Sequence, residues 1–147
     1  MVLSPMKVFF TLFIVLLCST EGPAQSATLP KEDSGYNQAL LAEINRYRQK
    51  NGLNQLQLDP NLVELAREHS GMMLRRQQTH HDNFNARFQR AGSRLCVENV
   101  GWNYDSPAQL FEGWRRSGGH NRNMLKEGLS RAGIAETGKY VTFFACR

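Results

Sequence analysis

Hydrophobic and polar positions follow two different periods along this chain, and the changes of period mark out its elements. Leu40, Leu41, Ile44 and Tyr47 recur at the spacing of one helix face, in a pattern that opens at Tyr36 and stops where Gly52 follows Asn51. A second helix is announced by Asp59 as N-cap and Pro60 at the first helical position, where a missing N–H costs nothing. Its apolar stripe is Leu62, Leu65, Ala66, His69, Met72 and Met73, ending near Gln78. On that stripe His69 reads as a core histidine, and the two methionines read as packing.

Residues 79–94 read as a loop with a short helical turn over 84–88, and residues 95–104 alternate as a strand carrying Glu98. Ser106-Pro107-Ala108-Gln109 is a capping box that opens a short helix with Leu110, Phe111 and Trp114 on its apolar side. Gly113 weakens that helix by about 1 kcal/mol relative to Ala, so packing must hold it. Ser117-Gly118-Gly119 is expected to break the helix before His120, with one more turn through Met124 and Leu125. Residues 132–136, a turn at Thr137-Gly138 and residues 139–146 predict a closing hairpin. The order α–α–β–α–β–β predicts an α+β fold with helices against a small, mainly antiparallel sheet. No internal repeat is present.

The first residues change the picture of where the chain works. Lys7 precedes an apolar run over 8–17 interrupted only by Thr11, too short for the roughly 20 residues a bilayer span needs. It has the length of a signal-peptide core, with Ala24 and Ser26 as the small residues before a cut. The competing reading, an uncleaved anchor, is opposed by the shortness of the run. Cys18 follows Leu17 rather than a small residue, which argues against lipid modification. The expected organisation is a signal peptide over 1–26, a polar linker over 27–36 and one domain over 37–147, exported to the periplasm or the medium.

Removing residues 1–26 takes away Lys7 and Glu21, so the formal charge of +5 is unchanged. About 120 residues remain, which suits one core. The remaining cysteines, Cys96 and Cys146, are expected to pair in an exported chain. Closing that loop contributes roughly 4 kcal/mol in the chain-entropy model. Arg75-Arg76, Arg115-Arg116 and Arg122 are scattered and accompany no nucleic-acid-binding motif, so they read as a solvated surface and no nucleic-acid partner is expected.

Common catalytic signatures are absent: no His-Glu-x-x-His helix, no Gly-x-Ser-x-Gly elbow, no Walker loop. What remains is His81, Glu98 and His120, with His80 in reserve. Two neutral imidazoles and a carboxylate suit a divalent metal open to water or ligand. They equally suit acid and base work around a nucleophilic water, with Glu98 as the candidate base. Their spacing is not a local metal-binding pattern.

The residues resemble a family. The stretch Leu41-Ala42-Glu43-Ile44-Asn45-Arg46-Tyr47-Arg48 with Gly52-Leu53 and Leu56 is followed by Leu62, Ala66, His69 and Met73, then by His81-Asp82-x-Phe84-x-x-Arg87. The signature pieces are Glu98-Asn99-Val100, Trp114-x-x-Ser117-x-Gly119-His120-Asn121-x-Asn123-Met124-Leu125 and Arg131-x-Gly133-Ile134. Over 40–147 the chain resembles a short bacterial CAP domain (cysteine-rich secretory, antigen-5 and plant pathogenesis-related proteins). The resemblance implies a three-layer α–β–α sandwich with a cleft lined by His81, Glu98 and His120. Many members carry a second cleft glutamate three residues after the Trp; here that position is Ser117, and Glu112 lies two residues before Trp114. The functions the resemblance implies are ligand binding with a divalent metal, zinc first, on His81 and His120; a metal-assisted hydrolase or peptidase; or binding of a lipid, sterol, cell-envelope or protein partner.

Overall fold

The computed structural model describes residues 34–147, so the expected signal peptide, its cleavage site, Cys18 and most of the linker lie outside the described residues. The elements are α1 (Ser34–Lys50), β1 (Gln57–Leu58), α2 (Pro60–Arg76), α3 (Phe84–Arg90), β2 (Cys96–Trp102), α4 (Pro107–Arg116), α5 (Gly118–Met124), β3 (Arg131–Thr137) and β4 (Tyr140–Cys146). The first helix takes in the last residues of the expected linker.

The sheet has the order β1-β3-β4-β2, with β1 parallel to β3 and the other pairs antiparallel. It is the middle of three layers. Alternate residues of β4 face opposite ways: Val141, Phe143 and Ala145 join Leu40, Ile44, Leu110 and Trp114 on the α1/α4 side. Phe144 and Cys146 meet Leu62 and Leu65 of α2, while Tyr140 meets Met73. Every residue of β4 is buried, which is why its sequence is a nearly unbroken apolar run rather than an alternation. The fold is the α+β arrangement with a mainly antiparallel sheet that the pattern predicts, in the three-layer sandwich that the resemblance implies.

Local chemistry sets the helix ends. Asp59 accepts from the Leu62 N–H at 3.1 Å, and its other oxygen takes Arg131 Nη1 at 2.7 Å, tying the start of α2 to β3. Ser106 accepts from the Gln109 N–H at 3.3 Å, as its capping box predicts. Cys96 and Cys146 are register partners in β2 and β4, and their sulfurs are bonded.

Three expectations change. Gly118 and Gly119 do not break the chain before His120; they open α5, and the single extended residue Ser117 separates the two helices. The helical turn after His81 is longer, running to Arg90 as α3. The two-residue β1 went unpredicted because both its residues are exposed and it has no periodicity to read.

Arg48 is fully buried, and among the described residues it makes no ion pair with a carboxylate. Its guanidinium donates instead to the Asn54, Met124 and Lys126 carbonyls at 2.9, 2.8 and 3.0 Å. It thereby fastens the end of α5 to α1, at the oxygen-rich end of the helix where a cation is favoured. Among the described residues, no helix is long and apolar enough to cross a membrane.

Candidate functional site

Glu98 is the centre of the site, and its position follows from strand geometry. On β2, Glu98 and Val100 face α2, while Asn99 and Gly101 face the opposite layer. Burying a carboxylate there requires partners. Arg87 of α3 supplies two, with Nε on Oε2 at 2.8 Å and Nη2 on Oε1 at 2.9 Å. His81 supplies the third, with Nδ1 at 2.9 Å from Oε1. The Glu98 side chain is 1% exposed, Arg87 5% and His81 52%, so one carboxylate joins an interior cation to a surface imidazole.

Burial by itself raises the Glu98 carboxyl, but the hydrogen bonds from His81 and Arg87 and the Arg87 charge outweigh it and hold it below the usual carboxylate range. An ionised carboxylate only accepts, so His81 Nδ1 carries a proton, and in the neutral form of the ring the lone pair is on Nε2. This is the arrangement by which a carboxylate fixes the tautomer of a metal-binding histidine.

His69 also reaches this centre. It is fully buried on α2, with Nε2 3.6 Å from Glu98 Oε1, beyond hydrogen-bond range. Its Nε2 proton goes to the His80 carbonyl at 2.8 Å, which pins the loop carrying His80 and His81. Burial depresses its pKa, against the pull of Glu98, and keeps it neutral. His80 turns inward: its ring meets His69 edge-on at 5.1 Å, and Nδ1 accepts from the Asp82 N–H at 3.2 Å. Consecutive histidines thus have different surroundings, His81 at the surface and His80 in the packing. Behind them, a cavity of about 180 Å³ is lined by His69, Met72 and Arg87 among others.

His120 arrives from the other layer. It sits in α5, half-buried, with its ring 6.2 Å from that of Trp114. Burial first, and His81 second, lower its pKa. Its backbone is held by a chain of amides: Asn123 Nδ2 donates to the Glu98 carbonyl and to Asn99 Oδ1 at 2.9 Å each, and Asn99 Nδ2 donates to the His120 carbonyl at 3.0 Å. Trp114 Nε1 donates to the Val100 carbonyl at 3.0 Å. Carbonyls of the edge strand β2 are therefore occupied by side chains of α4 and α5, which holds the backbone at His120 against β2 and blunts the sheet edge.

Arg87, Asn99, Trp114 and Asn123 were present in the motifs but had no role until the geometry gave them one. The signal for Arg87 was its fixed spacing from His81; for the others it was polar or amphipathic residues beside apolar ones at element ends. Glu112 does not supply the missing second glutamate. It points outward on α4 and takes Arg115. Among the described residues, no group of three or more His, Cys, Asp or Glu has metal-ligand geometry, the set His81, Glu98 and His120 included.

The model of the family described as CAP, cysteine-rich secretory protein family, matches residues 41–146. The chain belongs to this family. A curated relative, the uncharacterized protein YkwD of Bacillus subtilis (strain 168), is 26% identical over 116 residues, covering 74% of this chain and 45% of YkwD. Among solved structures, the chain is similar to an extracellular protein containing an SCP domain from Bacillus anthracis str. Ames, with a TM-score of 0.74 and 25% identity over 83% of this chain and 45% of that one. It shares its fold with a cysteine-rich secretory protein of Staphylococcus aureus subsp. aureus Mu50 (TM-score 0.71, 16% identity, 79% of this chain and 39% of that one). An outer surface protein of Borrelia burgdorferi is similar at a TM-score of 0.67 and 18% identity, over 75% of this chain and 90% of that one. The chain spans about half the length of YkwD and of the Bacillus anthracis protein.

Proposed function

We propose that the protein is an exported ligand-binding CAP module whose His81 and His120 imidazoles take a divalent metal, with zinc the best match to the donors. The observation that carries this reading is the 2.9 Å contact of His81 Nδ1 with a carboxylate that Arg87 holds ionised. In the neutral ring that contact leaves Nε2 free on a half-exposed side chain, and in this reading the ion also takes the His120 imidazole. Two nitrogen ligands leave positions open to water or to a ligand oxygen, so the site is exchangeable rather than structural. When bound, the metal supplies an electrophilic centre for an oxygen-bearing ligand.

Glu98 orients in this reading rather than ligating. The same geometry weighs against Glu98 as a general base, because both of its oxygens are engaged and its proton affinity is reduced. Export is supported by the leader-like residues 1–26 and by the extracellular origin of the Bacillus anthracis relative.

Zinc affinity measured by competition with a chromogenic chelator tests the site. The wild type should bind, and His81→Ala/His120→Ala should lose about tenfold or more, or about 1.4 kcal/mol per decade. Equal affinity in the two proteins would remove the assignment. Peptide-library cleavage equal in wild type and Glu98→Gln would likewise dispose of a hydrolytic role for Glu98.

A further inference from the structure

Gly113 lies inside α4, where glycine costs about 1 kcal/mol relative to alanine, and the structure shows what occupies the space its side chain would take. A Cβ built there would stand 2.5 Å from Tyr104 Oη, 2.9 Å from Cζ and 3.0 Å from Cε1. The missing side chain admits one edge of the Tyr104 ring against the helix, while the residue remains 38% exposed. Beside it runs a groove of about 480 Å³ lined by Tyr104, Ala108, Gln109, Glu112 and Arg116, with none of the three cleft residues among them.

The polar groups of this groove are biased toward donors. Gln109 Oε1 accepts from the Asp105 N–H at 3.2 Å, so its free amide atom is the NH₂. Arg116 Nε donates to the Glu112 carbonyl at 3.3 Å, leaving the Nη groups for another partner. The Glu112 carboxylate takes three contacts of 2.8–3.0 Å from Arg115, so its charge is already offset. An aromatic ring, an amide NH₂ and a guanidinium fork around an open groove suit a ligand with a flat apolar face and acceptor oxygens, one of them charged. Ala108 is the lone aliphatic side chain of the lining, which gives an apolar peptide side chain no pocket.

We propose that this groove binds a carboxylate-bearing saccharide, its ring against Tyr104 and its carboxylate on Arg116, independently of the histidine cleft. Hyaluronan tetrasaccharide, which alternates glucuronate with N-acetylglucosamine, and the neutral chitotetraose are the probes. They would be titrated into the isotope-labelled protein and followed by amide NMR. Hyaluronan tetrasaccharide should shift resonances over 104–116 with a Kd of about 1 mM or lower, and chitotetraose should bind about tenfold more weakly. Tyr104→Ala should cost about tenfold, and Arg116→Gln, at an exposed position, should abolish the preference for the acidic sugar. Arg75→Gln/Arg76→Gln, at the end of α2 and outside the groove lining, should lower the affinity for the acidic sugar far less than Arg116→Gln does and leave the neutral sugar unaffected. Absence of shifts at about 10 mM sugar, or shifts unaffected by both groove variants, would overturn the proposal. His81→Ala/His120→Ala should bind the sugar as the wild type does, so failure of the metal reading would leave this one standing.

Discussion

Arg87 and Glu98 form a two-pronged ion pair inside the protein, Nε on Oε2 at 2.8 Å and Nη2 on Oε1 at 2.9 Å, with both side chains at most 5% exposed. The pair joins α3 to β2 and leaves one lone-pair direction of Oε1 for His81. Removing one partner of a buried pair strands the other charge. Arg87→Met and Glu98→Gln should therefore each cost about 3–5 kcal/mol in urea unfolding. The double variant should cost clearly less than the sum. Additive losses would mean that the two side chains do not act as a unit.

Acid should weaken the fold in two stages. His69 and His120 are held below their ordinary value of 6.5, His69 by burial against the pull of Glu98 and His120 by burial and then by the His81 charge. Glu98 is held below 4.5: burial raises it, and the His81 and Arg87 contacts more than compensate. In each case the unfolded chain takes up protons before the folded one does, so stability rises with pH. The histidine contribution is complete above pH 6.5 and is lost as pH falls through the folded values. The Glu98 contribution is complete above 4.5 and is lost further down. The urea midpoint should begin to fall just below pH 6.5, and His69→Gln should remove part of that first decline. A midpoint unchanged between about pH 7 and pH 5 would contradict the buried neutral histidine.

Much of this arrangement was legible in the chain. Asp59-Pro60 and Ser106-Pro107 marked helix starts because capping is local chemistry, written in adjacent residues. Cys96 and Cys146, the two cysteines outside the leader-like stretch, predicted the bond that closes β2 on β4. The partners of Glu98 were not legible in the same way. Arg87 and His69 lie 11 and 29 positions away on other elements, and only the packing of α2 and α3 on β2 brings them to one carboxylate. His69 was read as a core residue, and it is one; the apolar stripe of α2 could not show that this core face ends at a carboxylate. The expected break is present at Ser117, but the helical state of Gly118 and Gly119 was missed because glycine propensity argues against it, whereas the Arg48 contacts and the Asn99–Asn123 chain hold α5 from outside it.

Gly133 is set by contact rather than by flexibility. A Cβ at this position would lie 2.0 Å from the Leu62 carbonyl carbon and oxygen and 2.4 Å from Val63 N, all backbone atoms of α2. No rotamer change can relieve such a clash, so α2 would have to lift from β3. Gly133→Ala should cost at least about 3 kcal/mol, the upper end of overpacking penalties. Gly119→Ala, where a Cβ meets nothing within 4 Å, provides the contrast and should leave stability unchanged or raise it by up to about 1 kcal/mol. Similar midpoints for the two variants would show that the helix and sheet are not in close contact.

Asn99 is fully buried and joins the two histidine-bearing sides of the site, since Asn123 binds both its side-chain oxygen and the Glu98 carbonyl while its amide holds the His120 carbonyl. Asn99→Leu keeps the approximate volume but leaves the His120 carbonyl without its donor. The unmatched acceptor should cost about 1–3 kcal/mol. A purely structural role would end there. If the amide chain also sets the approach of His120 to His81, zinc affinity measured well below the unfolding midpoint should fall about tenfold, while His81 keeps its Glu98 contact and its ring NMR signature. Loss of stability with undiminished zinc affinity would place Asn99 in the scaffold and leave the alignment of the two imidazoles to α5 and Trp114.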